Sequence, residues 1–266
     1  MKKLFLSHFL FLLFFIGCTK NVTQPEESTG ILKIFITDAP ASYEAVNITF
    51  STISAHIDSE WVTVQAEPIT VNLLEWNNGK SIEVGAAEVP AGHYTQIRLI
   101  IENAEISVNQ VVHPLSVPSG AQTGLKLGPA FSVLPGSTCE LVIDFDVQRS
   151  IVVTGPKWNP KGYKLKPRLR VTPKAVTGSI SGTVENPKDV PLAYAIQENV
   201  SINEQDTLTT AIVDTTTGEF MLAFLPEGIY KVSVRDTLER YHDIENVMVT
   251  AGSDNKLEPF TLKEQP

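Results

Sequence analysis

From Gly30 to the C-terminus the apolar residues recur at every second position, and a chain patterned this way must build sheets. Leu32, Ile34 and Ile36 alternate with Lys33 and Thr37; Val46, Ile48 and Phe50 alternate with Asn47, Thr49 and Ser51. Successive side chains on a strand point to opposite faces, so this spacing buries one face and wets the other. Further runs at 61–65, 69–74, 94–101, 104–107, 139–147 and 163–171 read as strands, divided by Gly, Pro and Asn clusters. Asn77-Asn78-Gly79 and Pro118-Ser119-Gly120 read as turns, where positive φ comes at low cost. No segment of helical length carries an i, i+3, i+4 stripe. Many short strands at such spacing predict a sandwich or a barrel.

The texture changes near Pro173–Gly178, where a second run of about seven short strands begins. These span 178–184, 193–202, 208–213, 219–224, 229–235, 245–250 and 256–262. The charge changes at the same place. Residues 29–174 carry 12 basic and 13 acidic side chains, whereas 175–266 carry 6 and 15. The expectation is an all-β chain of two tandem antiparallel β-sandwiches, Ig-like or prealbumin-like, over 29–174 and 175–266.

Ahead of them, Lys2 and Lys3 precede an apolar segment from Leu4 to Ile16 that is broken only by Ser7 and His8. A basic start, an apolar middle and a small residue before the cleavage point make a secretory signal peptide, residues 1–17. The Cys after Gly17 makes it resemble a lipoprotein signal, with Phe15 where a Leu is usual. Cys18 is then the lipid attachment site and the first residue of the mature chain, and its several acyl chains anchor it to the membrane. Residues 18–28 form a polar tether. Thr19 is not the Asp that resembles an inner-membrane retention signal, which favours the outer membrane of a bacterial cell envelope. The signal holds two Lys and no acid, so the mature chain carries 19 basic and 30 acidic side chains, net −11. That balance argues against nucleic acid as a partner. With Cys18 lipidated, only Cys139 remains and no intrachain disulfide can form.

Thr37-Asp38-Ala39-Pro40-Ala41, Leu73-Leu74-Glu75, Ala91-Gly92-His93-Tyr94-Thr95-Gln96-Ile97-Arg98-Leu99 and Asp144-Phe145-Asp146 occur together here. So do Pro118-Ser119-Gly120 and Thr123-Gly124-Leu125-Lys126-Leu127. Over about 29–172 the chain thereby resembles a bacterial and archaeal lipoprotein family catalogued as domain-of-unknown-function family 4382. The later segment, with Gly178-Ser179-Ile180-Ser181-Gly182-Thr183-Val184 and Leu225-Pro226-Glu227-Gly228-Ile229-Tyr230, is similar to carboxypeptidase-regulatory-like modules. That resemblance implies a prealbumin-type, carbohydrate-binding-like fold and a non-catalytic appendage. It implies no reaction, because fold is not function.

The chemistry-bearing residues are few. Read as one strand, 163–171 puts Lys164, Lys166, Arg168 and Arg170 on one face. With Arg149, Lys157, Lys161 and Lys174 they give eight positive charges between residues 147 and 175 and no acid. One reading is a cationic groove for an anionic glycan. The other is cross-strand pairing with Glu140, Asp144 and Asp146. Trp158 and Asn159, in a turn-rich loop, suit stacking on a sugar face and bonding its hydroxyls. Trp61, Tyr94, Phe145 and Tyr230 read as core. Asp38, Asp144 and Asp146 are weak Ca²⁺ candidates, too few for a cage, and Asp38 before Ala39-Pro40 also reads as a turn former. Cys139 reads as a buried hydrophobe rather than a nucleophile.

No GxSxG elbow, Walker loop or HExxH spacing appears, so no catalytic residue, cofactor or metal is assigned. The leading expectation is a non-enzymatic envelope lipoprotein that binds a surface glycan, anionic or neutral, or a partner protein. The alternatives are a structural spacer or assembly subunit with no small ligand, and a hydrolase whose catalytic pair only the fold would reveal.

Overall fold

The computed structural model describes residues 28–41, 43–156, 160–197 and 207–264. Cys18, the signal segment 1–17, most of the tether, and Trp158 and Asn159 lie outside the described residues.

The first half runs β1 (Thr29–Asp38), β2 (Ala45–Ile57), β3 (Glu60–Gln65), β4 (Ile69–Asn72), β5 (Ile82–Pro90) and β6 (Gly92–Val108). After these come β7 (Val111–Ser116), α1 (Ser119–Thr123), β8 (Leu125–Leu127), β9 (Phe131–Val133) and β10 (Thr138–Phe145). The half ends with α2 (Val147–Ser150), β11 (Ile151–Thr154), β12 (Gly162–Leu165) and β13 (Leu169–Pro173). The second half holds β14 (Thr177–Thr183), β15 (Leu192–Gln197), β16 (Thr207–Ile212) and β17 (Glu219–Pro226). It closes with β18 (Gly228–Arg235), β19 (Tyr241–Val249) and β20 (Asp254–Lys256).

Each half is a sandwich. In the first, a four-stranded sheet ordered β13-β10-β1-β5 faces a nine-stranded one built on the path β11-β12-β7-β6-β2-β3. Leu32, Ile34 and Ile36 from β1 and Leu141, Ile143 and Phe145 from β10 meet Ile48, Phe50, Ile97 and Leu99 between the layers, all essentially inaccessible. In the second, β17-β14-β20 faces β16-β15-β18-β19 over Ile180, Leu222, Tyr230 and Val232. The period-two residues thus do what their spacing dictates. Pairing is antiparallel except at β1–β10, β12–β7 and β14–β20, which are parallel.

Three local readings are corrected. The stretch 163–171 is two strands in different sheets, β12 and β13. Pro167 lacks the N–H that a ladder needs, and the flanking amides turn to Ser150: Lys166 N donates to its carbonyl at 2.7 Å and Arg168 N to its hydroxyl at 2.8 Å. The strand expected to reach Val147 stops at Phe145, because Asp146 caps α2, its Oδ1 accepting from Arg149 N at 2.9 Å. Pro118-Ser119-Gly120 opens the short helix α1, and the positive φ falls later, at Gly124.

The two halves share a corner that their different sequences conceal. Pro90-Ala91-Gly92-His93-Tyr94 and Pro226-Glu227-Gly228-Ile229-Tyr230 both carry the chain from one sheet of their sandwich to the other, from β5 to β6 and from β17 to β18. Tyr94 Oη donates to the Pro90 carbonyl at 2.7 Å, and Tyr230 Oη donates to the Pro226 carbonyl at 2.8 Å. Both rings are buried, and Tyr94 stacks on Phe131 at 5.2 Å. This is the tyrosine corner of β-sandwiches, a phenol returning to the backbone a few residues upstream. Replacing Tyr94 or Tyr230 by Phe keeps the ring and strands the proline carbonyl. Each change should cost about 1–2 kcal/mol in urea unfolding. The two losses should add, because the tyrosines belong to separate cores.

Candidate functional site

The end of β1 is tied to a point more than a hundred residues away. Asp38 Oδ1 accepts from Val147 N at 3.0 Å, where β10 gives way to α2. Thr37 Oγ1 lies 2.9 Å from the carbonyls of both Trp76 and Lys80, and Asp38 N donates to Trp76 O at 2.8 Å. These bonds hold Ala39-Pro40-Ala41 against α2 as one wall. The Asp38 carboxylate is therefore more than a local turn former.

The second half meets this wall through the edge strand β16. Arg149 Nη2 donates to Thr207 O at 3.1 Å, and Asn78 Nδ2 donates to Ile212 O at 2.9 Å. Two side chains of the first half thus occupy carbonyls that an edge strand would otherwise offer to another chain. Asn78 and Gly79 both have positive φ, as the Asn-Asn-Gly turn requires, and a Cβ on Gly79 would come within 2.5 Å of Met221 Sδ. Glycine suits the positive φ there, and an added Cβ would displace the flexible Met221 side chain.

Between the halves lies a cleft of about 860 Å³. Its first wall is Ala39, Pro40 and Ala41 with Asp146, Gln148 and Arg149; its floor is the outer face of the β16-β15-β18-β19 sheet. On that floor Tyr194 stands between Thr210 and Ser233 in register, and Leu192 stands between Ile212 and Arg235. Arg149 Nε pairs with Asp146 Oδ2 at 3.0 Å. Ser233 Oγ donates to Asp243 Oδ1 at 2.6 Å and accepts from Arg235 Nε at 3.1 Å, which holds the guanidinium over the sheet.

Carboxylates crowd the wall. Burial drives the Asp38 pKa well above the ordinary carboxylate value, and the charges of Asp144 and Asp146 push it the same way against the Val147 amide. Burial also raises Asp144, opposed by Arg170 and, less, by the Thr209 hydroxyl of the second half. Asp38 Oδ2 and Asp144 Oδ1 are buried and make no hydrogen bond among the described residues. The remaining oxygens are committed: Asp144 Oδ2 accepts from Arg170 Nη2 at 2.8 Å, and both Asp146 oxygens serve Arg149. Among the described residues, no group of three or more His, Cys, Asp or Glu is arranged to hold a metal ion.

The basic stretch divides. Arg170 pairs with Asp144 across β13 and β10, Lys174 with Glu140 at 2.9 Å, and Arg149 with Asp146. Lys164, Lys166 and Arg168 are exposed, make no ion pair among the described residues, and lie outside the cleft. No single cationic strand face exists, because Pro167 breaks the strand that would carry it. Trp61, expected in the core, is half-buried on the outer face of the large sheet instead. Arg98 lies 4.4 Å from its ring centroid and the His56 ring 4.9 Å away. Cys139 is half-buried against the core, and burial raises its thiol, the opposite of an activated nucleophile. Sequence reasoning missed Tyr194, Thr210 and Arg235. Their only signal was an outward period-two position, which does not distinguish a site from a wet surface.

A group whose folded pKa is raised contributes stability below its unfolded pKa of about 3.9 and loses it as pH rises through the folded value. Asp38→Asn keeps an acceptor for Val147 N and removes that loss. The variant should gain on the parent chain in thermal melts from pH 4 upward, the gap widening until the Asp38 titration is complete. A gap that is flat with pH would contradict the assignment.

A model of the family described as Domain of unknown function (DUF4382) matches residues 29–167. No curated protein matches the chain. Among solved structures, the TIE protein of Bacillus anthracis is similar at 15% identity and TM-score 0.22, covering 89% of this chain and 34% of that one. BcpA, the major pilin subunit of Bacillus cereus, is similar at 12% identity and TM-score 0.22, covering 89% and 71%. A fimbrial protein from Bacteroides ovatus is similar at 10% identity and TM-score 0.23, covering 89% and 51%. This chain thus spans about a third of the Bacillus anthracis protein and about half of the Bacteroides ovatus one. Superpositions at these scores say nothing about function.

Proposed function

Because the chain belongs to the DUF4382 family, whose function is unassigned, we propose that it is a non-enzymatic cell-envelope lipoprotein whose two sandwiches together hold a surface glycan or a partner protein. The observation that carries this reading is the cleft of about 860 Å³ walled by both halves. Binding sites favour concave, mainly apolar surfaces with a few convergent polar groups, often where domains meet. The lipid anchor on Cys18, the outer-membrane address and the absence of a nucleic-acid partner rest on the N-terminal pattern and the net charge. The second sandwich is read as a carboxypeptidase-regulatory-like appendage that supplies the floor of the site. Among the described residues no helix is long and apolar enough to cross a membrane; the attachment in this reading is the acyl anchor on Cys18.

A second reading, a stiff envelope spacer with no small ligand, draws support from Asn78 and Arg149. Their bonds to the edge of β16 join the two sandwiches directly.

The full chain, extracted in detergent and applied to a glycan array at low and at moderate salt, separates the two readings. A glycan signal supports the binding module. A folded chain on a blank array, co-purifying with envelope proteins that stay bound when the cleft residue Tyr194 is replaced by Ala, supports the spacer. Cys18→Ala tests the anchor: it should abolish incorporation of labelled palmitate and release the chain from the membrane fraction. Label retained in the variant would refute the anchor.

A further inference from the structure

We infer that the ligand of the interdomain cleft is a neutral, hydroxyl-rich saccharide lying across the outer face of the β16-β15-β18-β19 sheet with a ring against Tyr194. This rests on the binding reading proposed above and narrows it to one chemical class and one surface.

Charge is the first argument. Among the described residues, the charged groups lining the cleft are Asp146, Asp189, Arg149 and Arg235, two of each sign, and Asp146 and Arg149 already pair at 3.0 Å. An anionic polymer meets no net positive field there. The unpaired lysines of the basic stretch do not line the cleft.

The layout of the floor is the second argument. Cross-strand neighbours sit about 4.5–5.5 Å apart, so the row Thr210–Tyr194–Ser233 sets an aromatic ring beside the Thr210 hydroxyl, with the buried Ser233 on its other side committed to Asp243 and Arg235. The adjoining row Ile212–Leu192–Arg235 sets an apolar surface beside a guanidinium. Arg235 is held through Nε by Ser233, and its two Nη nitrogens make no hydrogen bond among the described residues. A pyranose needs this combination: its C–H face packs on an apolar or aromatic plane while its rim hydroxyls accept from a guanidinium and exchange bonds with side-chain hydroxyls.

A peptide is the natural competitor, and the seam disfavours it. A peptide gains affinity by adding a strand to a free edge. The edge beside this cleft is β16, where the Thr207 and Ile212 carbonyls are already taken by Arg149 and Asn78. What is left is a sheet face, which suits a ligand recognised by rings and hydroxyls.

The test uses the full chain in detergent and measures binding by calorimetry. The probes are short neutral oligosaccharides of gluco, manno and galacto configuration, and polygalacturonate as the anionic control. At least one neutral probe should bind, with Kd changing less than about two-fold between about 50 and 500 mM NaCl, since screening acts on charge contacts. Tyr194→Ala should weaken that binding by about ten-fold or more, while Lys164→Gln leaves it unchanged. Thr210→Val, a nearly isosteric change at the rim, should weaken it by about three-fold with an unchanged melting temperature, which covers the case of Tyr194→Ala failing to fold. Binding only to polygalacturonate, fading with salt and lost in Lys164→Gln but not in Thr210→Val, would overturn this inference and leave the glycan-binding reading standing. A folded chain that binds no probe would overturn this inference and leave the reading above only its partner-protein branch.

Discussion

Parallel pairing of β1 with β10, in register from Ile31 with Thr138 to Asp38 with Phe145, is the constraint from which the rest of the first sandwich and the wall of the cleft follow. Parallel neighbours cannot be joined by a tight turn. The roughly hundred residues between these strands build most of the large sheet, which then covers the core face of β1 and β10. The same pairing brings the last residue of β1 beside the start of α2. Asp38 reaches Val147 N only because the two strands end together. The bond has a price: a carboxylate is buried among Asp144 and Asp146, and its pKa is raised because burial, with those two charges, disfavours the ion more than the Val147 and Ala39 amides favour it. The gain is positional, since the Ala39-Pro40-Ala41 turn and α2 are fixed against each other and face the second sandwich.

The second sandwich presents an edge strand to that wall, and the first covers it with side chains rather than with another strand. Asn78 and Arg149 each satisfy one carbonyl of β16 and leave the rest of the junction open as a cleft. A continuous sheet across the junction would have closed the space. Buried polar atoms without a bond among the described residues, Asp38 Oδ2, Asn78 Oδ1 and Asp144 Oδ1 with Arg170 Nε and Nη1, belong to this side of the first half. Such groups are expensive where they are sealed from water, so this side of the first half holds its geometry at a cost in stability.

What the sequence revealed and what it hid follow from the range of each interaction. Alternation is local, so β1, β2 and β10 were readable from Leu32, Ile34, Val46, Ile48, Leu141 and Ile143, and β14 to β18 from the short apolar runs between 178 and 235. β5 was not, because Gly85-Ala86-Ala87 carries no alternating bulk. Gly85 lies under Gln65 and Val64, where an added Cβ would meet Gln65 Cβ at 3.1 Å, so close approach of another strand selects small residues there. The basic run was visible as composition, but its meaning depended on Pro167 and on the Asp144–Arg170 register, which only the assembled sheet supplies. The shared corner was present as Pro-x-Gly-x-Tyr in both halves, and five residues with two variable positions are too few to announce a repeat. The cleft was least legible of all: its floor is an ordinary strand face made special by what lies opposite.

Charge partition separates the two surfaces that competed for the role of site. The second half carries 6 basic and 15 acidic side chains, yet among its described residues the part that lines the cleft contributes one of each, Asp189 and Arg235. Among the described residues, the other acids of this half line no part of the cleft and favour solubility. The exposed cations Lys164, Lys166 and Arg168 belong to the first half and stand outside the cleft, so they add no attraction within it. A ligand entering between the sandwiches is selected by the spacing of Tyr194, Thr210 and Arg235 rather than by the field of the molecule. Recognition of that kind depends on how firmly the wall is held against the floor, and so on the Asp38–Val147 bond and on the two side chains that cap β16.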